Sequence, residues 1–466
     1  MKKYTDLNEL MEQLNIHDTI NISFHHHLRN GDYVINRILP YFHHRNIKHI
    51  GLYPSAIFPT YTTIIDLLKN NQIDHIKTNY LNGPVADYLA EHGNDTILTM
   101  QTHGGRARAI IEKETVIDIA FIAAPTVDNL GNATGAIGPS ACGSLGYAIE
   151  DATYAKTTVL ITDNFINTPL KTYQINGTDV DYVLVVDSIG DKAGIVSGTT
   201  AVTTNPIGVK IAKNASQFIT SLNLIKQGFS FQSGAGGISL RVTESLKSYI
   251  KTNNIKASFF SGGITKYHVD MLEEGLVERL YDVQCFDLDA VKSIAHHPNH
   301  IAISANEYAN PNNQKRIIKD LDIVILGCTE IDLNFNVNVT TDSYNTIIGG
   351  SGGHSDTASD AKLSLIVTPL IKARTPIIKT KVNTITTQGK NIDVIVTERG
   401  IAINPLRTDL INALKDSSLD IVTIEALLAR AHHYTGVPST YNHKGARIGR
   451  VEDRDGTYID TLYKKV

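Results

Sequence analysis

The sequence is poor in cysteine, and the three it has are scattered. Cys142, Cys285 and Cys328 are an odd number with no C-x-x-C pair. That arithmetic excludes a disulfide scaffold and a structural zinc site and implies a reducing compartment, so the cytosol is the expected location. Long apolar runs are also missing: the longest reach about eight residues, too short to cross a bilayer. The first residues, MKKYTDLNELMEQLNIHD, carry two lysines but no apolar stretch, which excludes a secretory signal and suggests a short polar helix. Charge of one sign is not in excess. The formal net charge is −4 and no Lys/Arg block occurs, which argues against nucleic acid as a partner. Three adjacent histidines (His25, His26, His27) cannot all face one ion from a strand, where side chains alternate, and the pairs His43-His44 and His432-His433 lack H-x-x-x-H spacing. No metal is expected.

What is present is a globular composition, with 42% hydrophobic and 19% charged residues over 466 positions. Length alone allows two to four domains, with large cores and no staples. Short apolar, β-branched runs end in Gly, Asn or Asp turns: 118–132, 157–163, 182–191, 256–263, 300–308, 321–327 and 392–400. Such runs suit strands buried on both faces of a parallel sheet. Between them lie helical patterns. Val242, Leu246, Tyr249 and Ile250 share one face, 268–282 and 407–417 read similarly, and the last helix stops at Gly436 and Pro438. The segment 333–339 alternates apolar and Asn, as a half-buried strand at an edge or near a ligand would. A hairpin is expected around Asp455-Gly456. Alternating strands and helices predict two open α/β halves, 1–222 and 223–466, with a ligand cleft between them.

Three glycine-rich turns carry the chemistry. Gly234, Gly236 and Gly237 separate a strand from the helix of Val242, so bare backbone amides and a helix N-terminus could meet a ligand. Ser239 stands where a dinucleotide fingerprint needs glycine, which argues against that reading. Residues 349–353 hold four glycines in five, followed by His354, Ser355 and Asp356. In 102–106, His103, Gly104, Gly105 and Arg106 could hold a carboxylate or phosphate between amides and a guanidinium. Near the start, His26 and Arg29 form a further candidate anion site.

These pieces, in this order, resemble the α subunit of citrate lyase. The matching strings are FHH-x-x-R-x-GD (24–32), THGGR (102–106), PTVDNLGNATG (125–135), SACGSLGYA (140–148), TTNP (203–206), GFSFQSGAGG (228–237), GGIT (262–265), YDVQCFD (281–287), HPNHIAISANEYAN (297–310), NFNVNV (334–339), GGSGGHSDTA (349–358) and VTERGIAINP (396–405). The likeness runs from about residue 20 to 436. It implies two CoA-transferase-like α/β domains related as pseudo-repeats. In the wider superfamily of CoA transferases a nucleophilic glutamate ends an H-T-E-like triplet, and Ile264-Thr265-Lys266 stands there instead. The resemblance therefore implies acyl transfer without an enzyme-bound intermediate.

The implied reaction exchanges acetyl for citryl on a carrier thioester and releases acetate. Its implied partners are citrate, an acyl carrier protein (γ) subunit bearing a CoA-like phosphopantetheine thiol arm, and a citryl-ACP lyase (β) subunit, in a homo- and hetero-oligomer. Acetyl-CoA is a surrogate donor, and no covalently bound cofactor is expected. Acyl transfer needs an oxyanion hole and close approach of two anions. Amides of Gly236, Gly237, Gly352 and Gly353 are the candidates for the hole. Arg29, His26, Arg106 and His354 are the expected counter-charges for citrate, with Lys266 a weaker candidate. One alternative is a CoA transferase or acyl-CoA hydrolase using Glu244 or Glu307 as nucleophile. A sugar-phosphate-sensing regulator would need a DNA-binding helix-turn-helix and a basic face, and neither is visible. An inactive scaffold would have no use for so many glycine turns.

Overall fold

The structure is a computed structural model that describes all residues except 26, 95–96, 197–199, 439–444 and 466. The apolar runs become the inner strands of two sheets. In the first, ten strands run in the order Lys2–Tyr4, Tyr182–Val185, Thr157–Thr162, Ile119–Ala123, Ile20–His25, Ile50–Leu52, Ile73–Thr78, Leu98–Met100, Arg447–Glu452 and Tyr458–Tyr463. Every neighbouring pair is parallel except the last. The second sheet has nine strands: His300–Ala302, Val277–Cys285, Ala257–Ile264, Ser230–Ser233, Ile323–Leu326, Leu363–Val367, Val394–Thr397, Gly400–Ile403 and Ile421–Val422. Only the pair Val394–Thr397 with Gly400–Ile403 is antiparallel there. The central strand Ile119–Ala123 is buried at all five positions, as helices on both faces require.

The hairpin around Asp455-Gly456 forms, and it lies parallel to Leu98–Met100 in the first sheet. Chain order and sheet membership therefore part company in the tail: residues 447–463 complete the amino-terminal sheet. Helix Pro206–Ser221 precedes the cut at 222 but packs on helix Gly237–Thr252 and on strand Val394–Thr397 of the second sheet.

Two segments differ from the pattern reading. The helix expected over 268–282 is the helix Lys266–Glu273 followed by the strand Val277–Cys285. Gly275 sits between them at φ 72°, a left-handed stop that glycine adopts without strain. The alternation at 333–339 is a turn between two short antiparallel strands, Glu330–Asp332 and Val337–Asn338.

That turn has a counterpart in the other half. Asp332 accepts from the amides of Asn334 and Asn336 and from the Asn336 side chain. Asp128 accepts in the same way from the Leu130 and Asn132 amides and the Asn132 side chain. Each asparagine then accepts from a distant glycine amide, Gly389 for Asn336 and Gly177 for Asn132. The same local device in both halves is the mark of a pseudo-repeat.

Candidate functional site

A cavity of about 400 Å³ opens between the two sheets, at the carboxyl ends of their strands. The first half contributes His27 and Arg29 after Ile20–His25, Tyr80 after Ile73–Thr78, and His103 after Leu98–Met100. The second contributes Gln232–Gly236, Gly263, Gln284, Phe286 and the turn Ser351–His354. The halves meet here directly. The His103 amide donates to the Gly352 carbonyl at 2.9 Å, and the Gly352 amide donates to the Asn79 carbonyl at 3.2 Å. Asp356 of the second half accepts from the Thr102 hydroxyl (2.8 Å) and the Gly104 amide (3.0 Å) of the first.

Of the expected site residues, Arg29, His103, Gly236, Gly352, Gly353 and His354 line the cavity. Arg29 is the only lysine or arginine among the described lining residues, and no aspartate or glutamate is among them. Its guanidinium lies over the rings of Phe58 and Phe286, 5.5 and 5.0 Å from their centroids, which fixes the charge at the wall. Gly236 is the N-cap of the helix Gly237–Thr252 and has no side-chain cap. Among the described residues no other segment accepts from the first-turn amides, and Gly236 and Ser239 of this turn line the cavity.

The other expectations need correction. Arg106 does not face the cavity; it forms a buried bidentate pair with Asp151 (2.7 and 2.8 Å) and donates to the Tyr53 carbonyl. Gly104 and Gly105 lie inside the helix His103–Ile111, and their amides are spent on Asp356 and on Thr102 Oγ1. The turn read as an anion cradle is thus a helix start already satisfied from within. His354 lines the cavity as a neutral ring. Burial pushes it down to about 4, Nε2 donates to the Gly327 carbonyl, and Nδ1 bonds the Thr387 hydroxyl. His103 is neutral as well, pushed down to about 3 by burial and then by Arg106. Gly352 spends its amide on Asn79, and Gly237 lies behind the lining residues. His26 lies outside the described residues.

Lys266 opens a helix away from the cavity, with 53% of its side chain exposed and its ammonium 2.7 Å from Asp270. Lys266→Ala should therefore leave acyl transfer within about twofold of the parent, because exposed ion pairs contribute little. A tenfold loss in a steady-state assay would return this lysine to the site.

Sequence reading missed Tyr147, Tyr308, Gln232 and Ser233, which all line the cavity. The Gln232 side chain donates to the Tyr308 hydroxyl (2.8 Å) and accepts from Ser261 (3.0 Å). Tyr147 packs on His103 with centroids 4.2 Å apart. Gln232 and Ser233 stood inside the GFSFQSGAGG string, where adjacency to the glycines was a usable signal. Tyr147 and Tyr308 stood inside the strings SACGSLGYA and HPNHIAISANEYAN, without a glycine cluster beside them to mark a ligand site.

Deeper in the first half, His25 Nε2 lies 2.7 Å from Asp151, with both side chains fully buried. Away from the cavity lining, Cys285 and His300 Nε2 both donate to Asp282 Oδ2 at 2.9 Å. This places three metal-ligand side-chain types within 4.8 Å of one another, a grouping that spacing in the chain did not foretell.

The family model for the citrate lyase alpha subunit (CitF) matches residues 1–465. The citrate lyase alpha chain of Haemophilus influenzae is 39% identical over 463 residues, covering 99% of this chain and 93% of that one. The crystal structure of a citrate lyase alpha subunit from Streptococcus mutans in complex with citrate superposes with a TM-score of 0.96 at 43% identity, covering 100% of this chain and 91% of that one. A 4-hydroxybutyrate CoA-transferase from Porphyromonas gingivalis, at 14% identity and TM-score 0.57 over 93% of this chain and 97% of that one, shares the fold. With near-complete coverage by the family model and by relatives close to 40% identity, this chain belongs to the citrate lyase alpha-subunit family.

Proposed function

We propose that this chain is the transferase of a citrate lyase: it moves a carrier thiol from acetyl to citrate, giving a citryl thioester and acetate. The observation that carries the reading is a cavity with Arg29 and uncommitted helix amides but no carboxylate among its described lining residues. A citrate carboxylate attacks the acetyl carbonyl carbon, and the C–S bond breaks with its electron pair going to sulfur. The thiolate then attacks the citryl carbonyl of the mixed anhydride, and acetate leaves. Thiolate is a good leaving group near neutral pH, so placement and oxyanion stabilisation supply most of the catalysis.

The glutamate-nucleophile alternative has poor geometry. Glu244 is ion-paired with Arg241 on an exposed helix face, and Glu307 is spent in a capping box with Ser304. Neither lines the cavity. The partners in this reading are an acyl carrier protein with a phosphopantetheine arm and a lyase subunit that cleaves the citryl thioester. Cytosolic residence fits the absence of any membrane-crossing helix among the described residues.

The test is acetate release from acetyl-carrier protein on adding citrate, with citramalate in parallel, followed by borohydride treatment and mass spectrometry. A reduced glutamyl adduct would overturn the mechanism. Arg29→Ala should raise the citrate KM at least tenfold and leave the acyl-donor KM within threefold, since a charged hydrogen-bond partner contributes about 1.5–3 kcal/mol. An unchanged citrate KM in initial-rate measurements would remove Arg29 from citrate binding.

A further inference from the structure

Ser233 ends the strand Ser230–Ser233, lines the cavity, and lies 3.0 Å from Nε2 of the buried His268. The pair has the outline of a serine nucleophile with its base. Its protonation runs the other way.

His268 is the third residue of the helix Lys266–Glu273, and its ring turns back to cap that helix. The Thr265 backbone amide donates to His268 Nδ1 at 3.2 Å. A backbone N–H can only donate, so Nδ1 must present its lone pair. The ring is neutral, pushed down to about 4 by burial and then by the neighbouring His300. A neutral imidazole with a bare Nδ1 carries its proton on Nε2. Nε2 therefore donates to Ser233 Oγ. A base that activates serine needs a bare Nε2, as in a Ser-His-Asp triad, where a carboxylate on Nδ1 fixes the opposite tautomer.

With one lone pair filled by His268, the Ser233 hydroxyl retains its proton to donate. The adjacent Gly234 amide is engaged with the Ile325 carbonyl at 2.8 Å, and the uncapped helix beginning after Gly236 lies on the same wall.

We propose that Ser233 is a catalytic hydrogen-bond donor to the carbonyl oxygen under attack, with His268 as its positioning residue, and that Ser233 never carries the acyl group. The inference rests on the transferase reading above. As the citrate oxygen bonds to the acetyl carbon, the carbonyl π pair moves onto oxygen, and the Ser233 O–H donates to that oxyanion without giving up its proton. Collapse expels the thiolate and restores the carbonyl. No proton changes hands at Ser233.

The experiment uses the full chain with acetyl-carrier protein and citrate, following acetate release, with thermal melting as a control for folding. Ser233→Ala should lower kcat roughly 100-fold with the citrate KM within about threefold, as for loss of one oxyanion donor. His268→Gln, whose amide can both donate to Ser233 and accept from Thr265, should retain kcat within about fivefold, whereas His268→Leu should fall close to Ser233→Ala. Intact-mass measurement of the parent chain after mixing with acetyl-carrier protein alone should show no acetyl adduct. An acetyl group on Ser233, a Ser233→Ala rate within twofold of the parent, or equal rates for the two His268 variants would overturn the proposal. If the parent chain itself released no acetate, the transferase reading would fail and this inference with it.

Discussion

Gly236→Val should reduce acyl transfer at least about 100-fold while moving the melting temperature by no more than about 2 °C. The backbone there has φ −72° and ψ 144°, which any residue adopts without strain. A Cβ built on Gly236 meets nothing within 4 Å, so the fold has room for it. The room is the cavity itself. In the proposed reaction the two branches of valine would stand between the first-turn amides of the helix and the acyl group. Gly352 offers no such clean test. Its φ is 51°, and a Cβ there would come 3.2 Å from His103 Nε2, so Gly352→Val would disturb the seam between the halves. Differential scanning fluorimetry paired with acetate release separates the two cases. A Gly236→Val chain that melts normally and still transfers would remove this wall from the mechanism.

The largest loss of stability should follow Asp151→Ala. Burial alone would raise this carboxyl, but Arg106 and His25 outweigh it and hold Asp151 well below the usual carboxylate range. Removing it leaves a buried guanidinium without its counter-ion, a change that costs about 3–5 kcal/mol. In melting temperature the expected drop is on the order of 5–10 °C. The pH dependence follows from the depressed value. A carboxyl lowered by folding contributes stability that is fully present above its unfolded value of about 4 and lost as pH falls through the folded one. The gap between parent and variant should therefore be the same at pH 7 and pH 5 and narrow only below about 4. A gap that closes between pH 7 and 5 would assign the effect to a histidine instead.

These two cases show why related-looking motifs had different fates. FSFQSGAGG and THGGR both place glycines at a strand-to-helix turn, and local chemistry treats them alike. In the first, Gly236 meets open space. In the second, a Cβ on Gly104 would come 2.0 Å from the Ala309 carbonyl oxygen, so that glycine exists to let the helices touch. Arg29 and Arg106 divide in the same way. Each follows a histidine-bearing turn, yet one meets two aromatic rings at the cavity wall and the other a buried carboxylate 45 residues away in sequence. Glu150 and Asp151 lie side by side on one helix, and only Asp151 accepts from Arg106.

The sequence by itself determined the family, the alternation of strand and helix, and the parallel character of both sheets. Those properties are written locally, in apolar runs buried on both faces and in strings that run nearly the whole chain. It also carried the expectation of a chemistry without a glutamate nucleophile, through Lys266 in the triplet. The tertiary structure placed Lys266 at the surface, away from a cavity whose described lining residues include no carboxylate. Only that structure decided which amides are free, which arginine faces the ligand space, and that Tyr147, Tyr308 and Gln232 stand beside it. It alone fixed the tautomer of His268 through a backbone donor. The reason is physical: a donor's availability and a side chain's charge depend on what burial and distant segments bring against it, and no local pattern in the chain encodes that contact.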